Sequence, residues 1–245
     1  DFIYLRRITK TLKKCGQYQD LILLSEGYSK SYTYTDNEIY GRFSREKNKE
    51  LFYESPSLEK IYGQKFKYTL VLDSDCIIDP GEVYKLVSLA ETNPKYDIFQ
   101  PEIKLYSNNT QNIFQKIQQI SQFHSNIINN SLFCFFEHSG YYGNALIHNQ
   151  NFFNKIIGTP ENLIEFIPVD AISHDTFESM ILPTLYTTQV KIWEQFPDNL
   201  ISWNIRELRW NYGDLIVFKH IYPWIFGRYK SLYSRNRFKL DFKQS

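Results

Sequence analysis

The chain has few cysteines, no long apolar run and almost no net charge, and each of these scarcities argues against a class of protein. Its three cysteines, Cys15, Cys76 and Cys134, are far apart and odd in number, so no zinc-site spacing is present and a disulfide framework is disfavoured. No stretch approaches the roughly 20 apolar residues that a membrane-spanning helix requires. A formal net charge of +1 over 245 residues gives no indication of a nucleic-acid partner. We expect a protein of a reducing compartment that is soluble, or peripheral to a membrane at most.

Apolar and aromatic side chains are plentiful by contrast. Apolar residues make up 42% of the chain and aromatic residues 17%, which is enough to build a sizeable core. The aromatic residues fit core filling, and they fit contact with carbohydrate or a membrane interface equally well. The length suits one large domain or two small ones, and we expect one domain over 1–215. The basic and aromatic segment 216–245 suits an interfacial helix on an anionic leaflet, with a plain surface helix and a frayed end as the alternative.

Segments of strand and helix character alternate along the chain. The predicted strands are 21–24, 68–72 and 97–100, and the predicted helices are 3–14, 49–62, a helix that Asp79 and Pro80 open, 110–129 and a helix from about 198. The polar, tyrosine-rich segment 27–48 is predicted to be a loop. This alternation predicts an α/β fold with a mostly parallel sheet flanked by helices. Because a nucleotide-binding α/β domain normally begins with a strand, we expect the sequence to start after the first strand of its fold.

The most informative stretch is Tyr68–Asp75, an apolar run of strand length that ends in two carboxylates one residue apart, Asp73 and Asp75. In an open α/β sheet, ligands bind at the carboxyl ends of the strands. Carboxylate oxygens at that rim can hold a divalent cation against a diphosphate. The alternative is a chance acidic pair at the end of an ordinary strand.

A second candidate is the segment Ser139–Ala145, in which Gly140 and Gly143 flank Tyr141 and Tyr142. Two glycines allow a tight turn and a close approach of the backbone to a ligand. An ordinary glycine turn explains the same residues.

The third candidate, Asp175, follows Ser173 and His174 at the start of a predicted helix. Ser173 could cap this helix, and a carboxylate in its first turn could simply pair with the helix dipole. Asp175 could also be a general base if it faces a nucleophilic hydroxyl at the sheet rim. His174 is interpreted as structural.

The fourth candidate is the group Arg206, Arg209 and Trp210 on the predicted C-terminal helix. The two arginines are three residues apart and share a helix face with the indole. Two guanidinium groups suit a diphosphate, and an indole can stack on a sugar. A salt-bridged surface helix is the alternative.

In this order and spacing, the four motifs resemble those of the processive, inverting family 2 glycosyltransferases with a GT-A fold. In that family the third and fourth motifs appear as Glu-Asp or Thr-Glu-Asp and as Gln-x-x-Arg-Trp. The chain is most similar to bacterial β-glucan glucosyltransferases that make osmoregulated periplasmic glucans or cyclic β-1,2-glucan, which use Ser-His-Asp and Arg-x-x-Arg-Trp. The segments 99–101 and 193–197 also look like theirs, and the resemblance covers roughly 20–225. It implies a GT-A-like, Rossmann-like domain with a mixed, mostly parallel sheet.

The resemblance also implies roles for the charged residues. Asp73 contacts the nucleotide, and Asp75 holds Mg²⁺ or Mn²⁺ on the diphosphate of UDP-glucose. Asp175 deprotonates the acceptor hydroxyl, and the sugar is transferred with inversion. Arg206 and Arg209 steady the departing UDP.

The remaining implied contacts concern the glucan acceptor and the uridine of the donor. Trp210 stacks near the glucan acceptor, and Gly140, Tyr141, Tyr142 and Gly143 line its channel. Glu26, predicted at the end of a strand, touches uridine. The implied location is the cytoplasmic face of the inner membrane, reached through flanking segments that are absent here, or the cytoplasm if the chain is complete.

The chain departs from the family pattern in three ways. The transmembrane helices of the family are not found in this sequence, and we expect its first strand to be missing too. The segment 45–48 is only weakly similar to the Lys-Ala-Gly-type segment that precedes the acidic pair in the family. Two alternatives to an active transferase stay open. One is a catalytically inactive fragment that binds a glycan or a membrane. The other is a phosphatase of the haloacid dehalogenase type, whose nucleophile would be Asp73.

Overall fold

The computed structural model describes residues 13–27, 29–35, 38–44, 60–106, 112–159, 162–163, 175–195, 197 and 199–225. The helices are α1 (Lys13–Ser25), α2 (Pro80–Thr92), α3 (Ile113–Phe136), α4 (Asn149–Phe152), α5 (Asp175–Ile181) and α6 (Leu200–Ile225), and a short π-helical turn covers Phe153–Ile157. The strands are β1 (Ser29–Thr35), β2 (Glu38–Ser44), β3 (Tyr68–Val71), β4 (Cys76–Ile77), β5 (Ile98–Tyr106), β6 (Ala145–His148), β7 (Gly158–Thr159), β8 (Asn162–Leu163) and β9 (Thr184–Gln195).

A five-stranded mixed sheet in the order β3-β6-β5-β9-β4 organises the domain, so the fold is mixed α/β as expected. The prediction of a mostly parallel sheet is wrong for the described residues, because β5 and β9 are parallel while the other three neighbouring pairs are antiparallel. Alternating helices and strands predict layered packing. The alternation does not determine whether neighbouring strands are parallel. That depends on whether each connection returns the chain to the same end of the sheet or to the opposite end.

Two apolar layers hold the sheet between helices. On one face, side chains of α1 and α5 pack on Val71, Ile98 and Ile147. On the other face, Leu86 and Ala90 of α2 pack with side chains of β5, β6 and β9. The layers form because successive residues of a strand point to opposite faces, and the two faces of this sheet are therefore both covered.

Two local predictions are corrected. The segment Leu21–Leu24 lies inside α1, not in a strand, because Cys15, Tyr18 and Ile22 recur at helical spacing and are buried together. The segment predicted as a loop contains the antiparallel hairpin of β1 and β2, with Ser29 opposite Ser44. Tyrosine and threonine favour strands even in a polar sequence, and the loop interpretation gave that propensity too little weight.

Several other predictions are confirmed. The side chain of Asp79 accepts a hydrogen bond from the Gly81 amide, and Pro80 occupies the first turn of α2. The predicted helix 110–129 corresponds to α3, which extends to Phe136 and begins with a capping box of Asn112 and Gln115 that was not predicted. A helix does begin at Asp175, and α6 covers the predicted C-terminal helix.

Some predictions fall partly or wholly outside the described residues. These concern most of 3–14 and 49–62, the cap Ser173, and the part of 216–245 beyond Ile225. The proposed boundary between 215 and 216 lies inside α6. None of the described helices is both long and apolar enough to cross a bilayer.

Candidate functional site

The acidic pair lies in the turn between β3 and β4. The Cys76 amide donates to the Asp73 carbonyl at 3.0 Å, and the Gln195 amide donates to the Asp75 carbonyl at 3.1 Å. These bonds fix the turn against β9. Ligand atoms of Asp73, Asp75 and Cys76 lie within 4.8 Å of one another, so both carboxylates lie within reach of one small ligand.

Asn144 positions Asp73 from the loop before the neighbouring strand β6. Its Oδ1 accepts from the Asp73 amide at 2.7 Å, and its Nδ2 donates to Asp73 Oδ2 at 3.3 Å. Gln100 then fixes the loop that carries Asn144, because its Nε2 donates to the Asn144 carbonyl and its Oε1 accepts from the Tyr142 amide. Both amide side chains are buried, so these polar bonds replace solvent and hold the loop in one position.

Lys14 joins the acidic pair to the glycine loop. Its Nζ lies 2.7 Å from Asp73 Oδ1 and 2.6 Å from the Gly143 carbonyl oxygen. A Cβ built on Gly143 would lie 3.5 Å from Lys14 Nζ and 3.6 Å from Asp175 Oδ2. The ammonium and the Asp175 carboxylate therefore flank the same point, so the first three sequence motifs meet at one site.

A buried carboxylate fixes the helix that carries Asp175. Glu178, one turn later on α5, accepts hydrogen bonds from the Cys15 thiol at 3.1 Å and from the Tyr18 hydroxyl. Burial raises the pKa of the Cys15 thiol and of the Tyr18 hydroxyl well above their usual values, and the Glu178 carboxylate adds to both shifts. Both groups consequently stay protonated and act as donors, which attaches α5 to α1 near Lys14.

The glycine loop, residues 140–143, contributes one residue to the site and another to the core. Gly143 lies at the site with φ +82°, whereas the Tyr141 side chain is 3% exposed and belongs to the core. Tyr142 is exposed, its hydroxyl donates to Asn129 on α3, and its ring leaves no room for a Cβ on Gly140. The expectation that Tyr141 lines an acceptor channel is therefore not supported, because its side chain points away from solvent.

Arg206 brings the fourth motif to the acidic pair. Its side chain is 19% exposed and forms an ion pair with Glu194 of β9, and Glu194 lies opposite Cys76 in the sheet. Burial lowers the pKa of the guanidinium, while the nearby Asp75 and Asp73 carboxylates oppose this shift. Arginine still stays charged at neutral pH, so a cation faces the acidic turn.

The other two residues of this motif flank Arg206. The guanidinium carbon lies 4.6 Å from the centre of the Trp210 ring, a cation–π contact. Arg209 is exposed and close enough to lower the pKa of Arg206 further. Trp210 also packs edge-on against Trp203 at 6.1 Å, which orients the indole beside the site.

The donor atoms of the acidic turn fit a hard divalent cation. Carboxylate oxygens suit Mg²⁺ and Mn²⁺, whereas thiolates suit softer metals. Burial, followed by the Asp75 carboxylate, raises the pKa of the Cys76 thiol to about 11, and its sulfur is a soft donor that Mg²⁺ and Mn²⁺ do not favour. Asp75, with Asp73, is therefore the better candidate for holding Mg²⁺ or Mn²⁺.

Glu26 does not join this group. It follows the last turn of α1, whereas Lys14 lies in the first turn. At 1.5 Å per residue, the two Cα atoms are roughly 18 Å apart along the helix axis. The corrected helix assignment thus moves Glu26 to the far end of α1, and we omit it from the proposed site.

Four residues that the sequence did not indicate help to build the site. Lys14 stood in a basic helical stretch with no signal of a partner 59 residues away. No motif assigned a role to Glu178 or Glu194, and both are buried. Asn144 adjoins Gly143 in the quoted glycine segment, and a polar residue beside a glycine turn was the one usable signal.

Neither a protein-family model nor a curated protein sequence matches the chain.

Proposed function

We propose that the chain is a metal-dependent, inverting glycosyltransferase with a GT-A-like domain that moves glucose from UDP-glucose to a growing β-glucan. The observation that carries the proposal is the junction at Lys14, where Asp73 and the Gly143 carbonyl share one ammonium and Asp175 flanks the same point. Arg206 on α6 pairs with Glu194, which lies opposite Cys76 in the sheet and so places the guanidinium beside the acidic turn. Carboxylates, guanidinium and a candidate base thus surround one place where a charged donor and a hydroxyl could meet.

The part of the site that would bind the sugar donor, the donor half formed by Asp73, Asp75 and Arg206, suits a diphosphate. Mg²⁺ or Mn²⁺ held by Asp75 and Asp73 would neutralise charge that develops on the leaving diphosphate. Arg206 adds a guanidinium on the same side, where it can donate hydrogen bonds to phosphate oxygens. Its pairing with Glu194 keeps the guanidinium in place before a ligand arrives, which favours the transition state because little reorganisation is needed.

Asp175 is the proposed base. Its carboxylate takes the proton from an acceptor hydroxyl, the hydroxyl oxygen bonds to the anomeric carbon, and the bond from that carbon to the UDP oxygen breaks. Attack from the side opposite the leaving group inverts the configuration. Glu178 holds α5 in position through Cys15 and Tyr18, so the base is fixed relative to Lys14 and the donor half.

Trp210 is the proposed acceptor platform. Its ring contacts the Arg206 guanidinium and packs against Trp203, so the indole is oriented while 39% of the residue stays exposed. An exposed, oriented indole can stack on the apolar face of a sugar ring. Arg209, also exposed, can follow the diphosphate as it leaves.

Calorimetric titration of UDP in the presence of Mn²⁺ tests the donor half. We expect binding that disappears on chelation and weakens at least about tenfold in Asp75→Asn, because one cation ligand is lost. Glu91→Gln is the matched control, since Glu91 is an exposed carboxylate paired with Lys67 away from the site. UDP binding that is indifferent to both chelator and Asp75→Asn would refute the proposal.

A phosphatase of the haloacid dehalogenase type is the second candidate, and the 2.7 Å contact between Lys14 and Asp73 favours it. An ammonium beside a carboxylate can stabilise the charge of a nucleophile that attacks phosphorus. Mass spectrometry after incubation with a phosphoryl donor separates the two enzymes. A phosphoryl group on Asp73 would select the phosphatase, and glucosyl transfer without it would select the transferase.

A further inference from the structure

Helix α3 is amphipathic, but its apolar side faces solvent and its polar side faces the domain. Large apolar side chains at helical spacing point to solvent, and they are Ile113, Ile117, Ile120, Phe123, Ile127, Ile128, Leu132 and Phe135. The buried residues of the helix are polar, with Gln115 3% and Asn126 5% exposed. A helix that simply covered the core would show the opposite pattern.

Hydrogen bonds explain why the polar side faces inward. Strand β5 pairs with β6 only at Ile98 and Phe99, so the rest of that edge has no neighbouring strand among the described residues. Asn126 Nδ2 donates to the Ile103 carbonyl at 2.9 Å, and Gln119 Nε2 donates to the Leu105 carbonyl at 3.2 Å. The amide side chains thus satisfy a strand edge. This requirement fixes the rotation of α3 and leaves its apolar side outward.

Helix α6 repeats the arrangement. Its side toward the domain carries Trp203, Arg206 and Trp210, which make the contacts described above. Its opposite side presents an exposed apolar stripe at intervals of three and four, formed by Ile201, Ile205, Leu208, Tyr212 and Leu215. Phe114 of α3 packs edge-on against Trp203 at 6.4 Å, so the two helices meet near their N-terminal ends. Exposed apolar area on this scale marks an interaction surface.

The charges of the chain identify the partner. The whole length of α3 contains no aspartate or glutamate, so no acidic group on this helix would be repelled by an anionic surface. The segment 216–245, which begins inside α6, carries seven basic residues against the single acid Asp241, interleaved with tyrosine, tryptophan and phenylalanine. Basic and aromatic residues together favour the interface of an anionic bilayer, whereas a second copy of the chain would carry the same positive charge.

We propose that the outward faces of α3 and α6 lie on the surface of an anionic lipid bilayer. The helices lie in the plane of the interface, because their inward faces are engaged with the domain and no described helix is able to span a bilayer. Their apolar side chains enter the acyl boundary, and the net positive charge of the segment 216–245 favours anionic over neutral headgroups. This inference rests on the orientation of two helices and does not depend on the proposed function.

Vesicle flotation of the full chain tests the proposal. We expect the protein to float with vesicles of phosphatidylcholine and phosphatidylglycerol, and less with phosphatidylcholine alone or at high salt. Ile117→Gln/Ile120→Gln and, separately, Ile205→Gln/Leu208→Gln should each lower partitioning by about tenfold or more, because two apolar side chains are removed from the acyl boundary. Tyr84→Gln, which alters an exposed aromatic residue on α2, should change nothing.

Because every substituted side chain is exposed, the variants should fold, and circular dichroism with thermal unfolding verifies this. Absence of flotation with anionic vesicles would overturn the proposal, as would flotation that both pairs of substitutions leave unchanged. Light scattering in the absence of lipid tests whether the chain dimerises. A dimer that dissociates in Ile117→Gln/Ile120→Gln would show that a second copy of the chain covers α3, and this result would also overturn the bilayer proposal.

Discussion

Lys14 and Asp73 form an ion pair of 2.7 Å although 59 residues separate them in the chain. The same ammonium donates to the Gly143 carbonyl at 2.6 Å. One side chain on the first turns of α1 therefore joins the end of β3 to the loop before β6.

Replacing Lys14 with methionine removes the positive charge beside Asp73. We expect Lys14→Met to bind Mn²⁺ alone roughly three- to tenfold more tightly, since the cation no longer competes with the ammonium, which is partly solvent-screened. Electron paramagnetic resonance of free Mn²⁺ measures the affinity. Lys14→Arg keeps the charge and should behave like the parent protein, and Lys67→Met, which breaks a surface pair with Glu91, should have no effect. Unchanged or weaker Mn²⁺ binding in Lys14→Met would show that the ammonium does not occupy the cation position.

The second prediction distinguishes two effects of a side chain at position 143: backbone strain, and obstruction of the space between Lys14 and Asp175. Alanine there adopts a left-handed φ of +82° and places its Cβ beside Lys14 and Asp175. We expect Gly143→Ala to lower the free energy of unfolding by about 1–2 kcal/mol, measured in urea, and to reduce UDP-dependent transfer further than this instability explains. Gly63→Ala is the control, because Gly63 has φ +69° and a Cβ there meets nothing within 4 Å.

Both alanine variants should share the loss of stability, and only Gly143→Ala should lose transfer activity at temperatures where the protein is folded. Equal activity in the two variants would mean that the space between Lys14 and Asp175 is not used by substrate.

The local signals of the sequence gave reliable results where a few adjacent residues decide the structure. Asp79 with Pro80 fixes the start of α2, and the apolar run before Asp73 forms β3 as expected. The run Leu21–Leu24 was misassigned because four apolar residues fit a buried strand as well as a helix. In the structure it continues the buried face of α1, which only the longer spacing from Cys15 onward reveals.

The sequence predicted individual residues of the candidate site but not the ion pairs that join them. Asp73, Asp175 and Arg206 were each singled out by a motif, and the structure brings them to one region. Lys14 and Glu194 were missed, because an ion pair between distant segments leaves no local pattern. The direction of β6 could not be predicted from the sequence either, since it depends on how the chain returns after α3.

The third prediction concerns the buried groups behind Asp175. Burial raises the pKa of Cys15, Tyr18 and Tyr141 well above their usual values. In the unfolded chain these groups lose protons at a lower pH than in the folded chain, so the unfolded state binds fewer protons and stability falls as pH rises. The loss begins near the ordinary pKa of cysteine, about 8.5.

Urea unfolding between pH 7 and 10.5 measures this dependence. We expect a plateau up to about pH 8.5 and then a slope of about 1.4 kcal/mol per pH unit for each group that titrates only in the unfolded state. Cys15→Ala removes the first of these groups, so its curve should be flatter between about pH 8.5 and 9.5. A parent protein whose stability rises across this range would contradict the burial of all three groups.

The last prediction separates the structural role of Arg206 from its role at the site. Arg206→Met leaves Glu194, which is 5% exposed, without its cation, and we expect a loss of about 3–5 kcal/mol in the free energy of unfolding. Arg206→Met/Glu194→Gln removes both charges, so most of that stability should return, as thermal and urea unfolding would show. UDP binding should not return, because the guanidinium that faces Asp75 and Asp73 is still missing. A double variant that regains both stability and UDP affinity would mean that Arg206 only balances Glu194 and takes no part in binding the donor.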